Sequence, residues 1–87
     1  MQVRKKNGSL QDFNIDKIML VIEHISDECN QPLTLSDINL IRKSVLKSVE
    51  NKAVDVISTA EIRDIVFSEL SRSGFSDIAA AYMREDD

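Results

Sequence analysis

Apolar residues recur at helical spacing in four stretches of the chain. Ile15, Ile18, Ile22 and Ile25 stand three or four positions apart, with Val21 beside them, which predicts an amphipathic helix over residues 15–27. Ile38, Ile41, Val45 and Val49, with Leu46 alongside, predict a second helix over residues 36–50. Ile62, Ile65, Val66 and Leu70 predict a third over residues 60–72, and Ile78, Ala79 and Tyr82 a short fourth over residues 77–84. Leu20, Leu40 and Phe67 fall off these stripes and read either as peripheral core or as contacts for a partner. Ahead of the first helix the period changes. Residues 2–6 and 9–13 read as two short strands around Asn7-Gly8, a pair that tolerates positive φ and signals a tight two-residue turn. Val3, Leu10 and Phe13 are the expected buried face of this hairpin, which must pack on the helices because a lone hairpin is marginal in water.

Local signals mark the boundaries. Asn14 or Asp16 caps the first helix, and Pro32 excludes helix in the loop that follows it. Thr34 or Ser36 starts the second helix, and residues 51–56 read as a connection. Ser58, Thr59, Ala60 and Glu61 form a capping-box pattern, a hydroxyl followed three residues later by a carboxylate. Gly74 suits a left-handed C-terminal position, and Ser76-Asp77 is expected to cap the last helix. Glu85, Asp86 and Asp87 make an acidic tail that opposes the helix dipole and favours fraying. The fold class expected from these signals is mainly α: one domain over residues 1–87, a four-helix bundle capped by an N-terminal β-hairpin.

Composition narrows the function. At 87 residues the chain buries roughly 60% of its extended surface and folds with a small margin. Fifteen acids against eleven bases argue against general nucleic-acid binding. Cys29 is the only cysteine, which excludes an internal disulfide and a thiolate-rich metal site and fits a cytoplasmic setting. The apolar runs are too short for a membrane span, and residues 2–17 are too polar for a signal-peptide core. His24 and Cys29 have no partner at motif spacing, Tyr82 reads as a core anchor, and no nucleophile–base pair stands out, so catalysis by this domain itself is not expected.

Against the acidic background, positive charge gathers at one end. Arg4, Lys5 and Lys6 are consecutive, and Lys17 follows one turn into the first helix. Strand alternation puts Val3 and Lys5 on one face and Arg4 and Lys6 on the other. Read locally, these cations either protect an exposed strand edge or hold an anion. The start of the third helix, at Ser58 and Thr59, adds free backbone N–H groups suited to phosphate. With only Gly8 and Gly74 there is no glycine-rich phosphate loop, so a grip would rest on side chains. Three or four charge-assisted bonds at roughly 1.5–3 kcal/mol each, plus burial of an apolar face of the ligand, reach the roughly 8 kcal/mol of a micromolar site.

Three motifs in order bring a family into view. The first is Val3, Lys5-Lys6, Asn7-Gly8, Phe13 and Lys17-Ile18; the second is Thr59, Glu61 and Ile62; the third is Ala79, Ala80, Ala81 and Tyr82. Together they resemble the ATP-cone domain, the regulatory module at the N-terminus of many ribonucleotide reductases. The resemblance implies a hairpin lid over a helical bundle that binds ATP or dATP with Mg2+, without a confidently assigned direct protein ligand to the metal. It implies Val3 and the hairpin against base and ribose, Lys5 and Lys6 on the phosphates, and Gln11, Asn14 and Lys17 lining the approach. Thr59 contributes from the third helix, and Arg4 and Ile18 complete the set. Gln11 departs from members that carry glutamate there, and Lys6 from members that carry arginine. The implied partners are the reductase catalytic body or another subunit, or a second copy of the chain, with no membrane and no direct nucleic acid. The rival expectation is a helical protein-interaction module that keeps this fold and has lost nucleotide binding.

Overall fold

The computed structural model describes residues 1–85. Asp86 and Asp87, the end of the predicted acidic tail, lie outside the described residues. The elements run β1 (Gln2–Arg4), β2 (Leu10–Asp12), α1 (Ile15–Glu28), α2 (Leu35–Glu50), β3 (Val56–Ser58), α3 (Thr59–Arg72) and α4 (Ser76–Met83). The protein is thus mainly α with an N-terminal hairpin, as the pattern implies, but the hairpin is part of a larger sheet.

β3 is the unexpected element. It lies parallel to β1, with Val3 opposite Ile57, and gives a sheet of order β2-β1-β3. The stretch read as a plain connection therefore ends in a strand. Gln2 N–H donates to Asp55 O at 2.9 Å just before the ladder, so β1 is tied on both edges. Three residues are too few to show a period, and their partner is more than fifty positions away, so local pattern carries no trace of the pairing.

The hairpin turn also differs from the two-residue form. Lys5 N–H donates to Ser9 O at 2.8 Å and Gly8 N–H to Lys5 O at 2.9 Å, leaving three residues between the closing pair. Gly8 alone takes positive φ, at 88°, as three-residue loops require of the residue after the turn. Asn7 instead uses its side chain: its Oδ1 accepts from Ser9 N–H at 3.0 Å and Ser9 Oγ at 2.7 Å. The register sets Leu10 opposite Arg4 and Gln11 opposite Val3. Leu10 thus falls on the sheet face opposite Val3 and is exposed, contrary to the expectation that it is buried.

The helices begin where side chains can accept orphan amides. Asn14 caps α1 by accepting from Asp16 N–H at 3.0 Å. Thr34 and Asp37 form a reciprocal capping box on α2. Ser58 accepts from Glu61 N–H at 3.1 Å, while the Glu61 carboxylate takes the Ser58 hydroxyl. At α4 the expected Ser76-Asp77 cap does not form: Phe75 is the cap residue and offers no side-chain bond. The Gly74 turn preceding it leaves Ser76 already helical. Gly74 has φ 89°, with Phe75 N–H on Leu70 O and Gly74 N–H on Ser71 O, a Schellman ending for α3.

The core sits where the four stripes meet. Ile22, Ile25, Ile41, Val45, Val49, Ile57, Ile62, Val66, Leu70 and Ile78 are among its buried members. Met19 joins them although the isoleucine spacing passed over it, and Val21 lies exposed instead. Leu20, Leu40 and Phe67 are exposed. Val3, Phe13, Ile15 and Ile18 pack on the rim of this core, which seats the hairpin over the bundle. Buried Glu69 accepts from Ser48 Oγ at 2.9 Å, and Arg72 Nη2 lies 3.3 Å from the same carboxylate oxygen, tying α2 to α3.

Candidate nucleotide site

A cleft of 230 Å³ opens between the hairpin, α1, α3 and the end of α4. Its floor is apolar, from Phe13, Ile18, Val21, Ile62 and Tyr82, and its rim carries Lys5, Lys17 and Arg63. Each cation comes from a different element: Lys5 follows β1, Lys17 projects from α1 and Arg63 from α3. A second depression of 180 Å³ adjoins it, lined by Arg4, Lys5, Lys6, Ser58, Thr59, Ala60 and Arg63. Lys5, Thr59 and Arg63 are common to both.

Of the residues singled out from sequence, Val3, Lys5, Gln11, Asn14, Lys17, Ile18 and Thr59 line the larger cleft. Arg4 and Lys6 line the neighbouring depression instead. This division follows from strand alternation, which turns Val3 and Lys5 to one side and Arg4 and Lys6 to the other.

Local folding explains how these groups meet. β3 runs into α3 without a linker, so pairing of β1 with β3 carries Arg4 to the first turn of α3. Thr59 Oγ1 donates to Arg4 O at 3.0 Å, fastening hairpin to helix. The first residues of α3 line the same depression as Lys6, and a helix N-terminus favours anions.

Reasoning from sequence missed four polar or aromatic contributors. Arg63 is one helical turn beyond Thr59, on the same face, and that spacing could have found it. Tyr82 is buried and also lines the cleft, so it serves core and site together. Burial pushes the Tyr82 phenol above its usual value; nearby Arg63 pulls it down and Glu85 pushes it up. Asp12 and Glu85 add carboxylates to the lining, and Glu85 also accepts at its main-chain oxygen from Arg63 Nη2.

The arrangement suits a ligand with a flat apolar body and a polyanionic tail. Hydrophobic side chains would cover such a body, and the cations would face such a tail. Among the described residues, no group of three or more His, Cys, Asp or Glu side chains could hold a metal ion. Mg2+ keeps several waters and takes substrate phosphate oxygens beside one or two carboxylates, so it needs no such group. Among these residues, no helix is long and apolar enough to cross a membrane.

Fold and cleft together define a small helical bundle roofed by a mixed three-stranded sheet. Residues 1–85 match the ATP cone domain, and the chain belongs to that family. Comparison with curated proteins found no match.

Proposed function

We propose that this domain is a nucleotide sensor that takes ATP or dATP, with Mg2+, in the cleft beneath the hairpin and thereby regulates a ribonucleotide reductase or its assembly. The observation that carries the reading is the convergence of Lys5, Lys17 and Arg63, from three elements, on the rim of one apolar-floored cleft. The adenine ring lies against the apolar floor near Val3, Phe13 and Ile18. The triphosphate runs toward Lys5, Lys6 and the start of α3, with Arg4 flanking it in the adjoining depression. Gln11, Asn14 and Lys17 border the ribose and the first phosphate. Magnesium arrives with the phosphates and offsets charge that the cations leave unmatched.

Membership of the ATP cone family supports the same reading. Nucleotide bound between sheet and bundle would bridge β1, α1 and α3, and a coupling of roughly 1–3 kcal/mol makes a useful switch. Isothermal titration with ATP, dATP and GTP, with and without Mg2+, tests the site. Saturable heat with adenine nucleotides that disappears in the Lys5→Ala, Lys6→Ala double variant is the expected result. Absence of heat with every nucleotide would overturn it and favour the protein-interaction module.

A further inference from the structure

We infer that Arg63 is a two-position clamp, which holds the chain leaving α4 when the cleft is empty and lets it go when a polyphosphate enters. The inference rests on the nucleotide reading above and adds how occupancy is signalled.

Two contacts carry it. The Arg63 guanidinium donates through Nη2 to the main-chain oxygen of Glu85, tying the segment just past α4 to α3. The same Arg63 lines both the cleft and the depression beside Lys5, Lys6 and the start of α3. Glu85 itself lines the cleft, so its carboxylate adds negative charge where an anionic ligand would enter.

A phosphate changes the balance in two ways. A guanidinium–phosphate pair joins two opposite charges and can form two parallel bonds, where the carbonyl is neutral and takes one. The incoming charge also repels the Glu85 carboxylate. Arg63 therefore turns toward the phosphates, and Glu85 loses both its clamp and its place beside the cleft. Within the described residues, two bonds local in sequence continue to hold this segment, Arg84 N–H to Ala81 O and Glu85 N–H to Tyr82 O, each 3.1 Å. Signal leaves the domain through the end of α4, while the sheet and the core stay in place.

The test is residue-resolved NMR on the whole chain, reading amide exchange and the heteronuclear NOE at Arg84 and Glu85. ATP with Mg2+ and inorganic tripolyphosphate are the two probes. The expected result is exchange at Glu85 about tenfold faster on saturation, the factor for one lost charge-assisted bond, with a lower NOE. Arg63→Gln should give the same loosening with no ligand, and Arg63→Lys, which keeps a charge but not the fork, an intermediate one. If titration shows ATP binding while Glu85 stays unchanged or becomes more ordered, the clamp is wrong and the site reading stands. If neither probe binds, the site reading falls and release by ligand falls with it. A well-folded Arg63→Gln variant with unaltered Glu85 dynamics would overturn the clamp whatever binds.

Discussion

Thr59 Oγ1 lies 3.0 Å from the carbonyl oxygen of Arg4 and donates to it, joining residues 55 positions apart. The hydroxyl sits at the first residue of α3 and the carbonyl at the last residue of β1. It continues the β1–β3 ladder by one side-chain bond and sets the distance between the basic hairpin and the start of α3. Thr59→Val keeps the shape and removes the donor. It should cost about 0.5–1.5 kcal/mol in thermal or urea unfolding and weaken ATP binding, whereas Thr59→Ser should keep most of both.

Charge at the cleft is predicted to act locally. Lys17→Ala should weaken ATP binding about tenfold, the low end for one charge-assisted bond, and make the affinity less sensitive to salt. Lys43→Ala, on exposed α2 surface away from the cleft, should leave the titration unchanged. Equal losses from both would mean that net charge, rather than this rim, attracts the nucleotide.

Backbone conformation predicts changes of opposite sign at two positions. Gly74 has φ 89°, and an added Cβ would meet nothing within 4 Å, so the cost of Gly74→Ala is conformational rather than steric crowding by neighbours. That cost is about 1 kcal/mol. Ala53 already adopts φ 52° without being glycine. Ala53→Gly should therefore raise stability, by at most about 1 kcal/mol after the added freedom of the unfolded chain is offset. Chemical denaturation of both variants measures the pair.

Burial of Tyr82 predicts a loss of stability in alkali. Its phenol ionises at higher pH in the folded chain than in the unfolded one, because burial penalises the phenolate. The unfolded state releases this proton first as pH rises. The contribution is therefore whole below about pH 10 and is lost as pH climbs through the raised folded value. Stability followed from pH 8 upward by chemical denaturation should fall less steeply in Tyr82→Phe than in the natural chain.

Glu69 is the buried carboxylate between α2 and α3. Glu69→Ala strands Ser48 and takes the near partner from Arg72, at a cost of about 1–3 kcal/mol. Ser48→Ala leaves Arg72 in place and should cost less. Urea midpoints of the two variants decide whether this contact is structural.

Legibility of the fold depended on whether a signal was local. The stripes of α1, α2 and α3 each repeat over two to three turns, and caps such as Thr34 or Gly74 act within a few residues, so the pattern carries them. Met19 escaped notice because its neighbours Ile18 and Ile22 already complete a plausible stripe. β3 was invisible because Val56, Ile57 and Ser58 acquire meaning only beside β1. In the cleft, Val3, Lys5 and Lys17 could be named from motif and charge. Arg63 lies one helical turn past Thr59 and was within reach of that spacing, but Glu85 was not, since its meeting with Arg63 depends on how α4 folds back over α3.

Ser58 closes the sheet and caps α3 in the same residue, so strand and helix have no slack between them. Each residue of an α-helix advances the direction of its side chains by about 100°. One extra residue at this junction would therefore swing Arg63 out of phase with Lys5 while every element kept its own shape. Spacing here is a mechanical constant of the molecule, and it tolerates replacement of side chains far better than a change in their number.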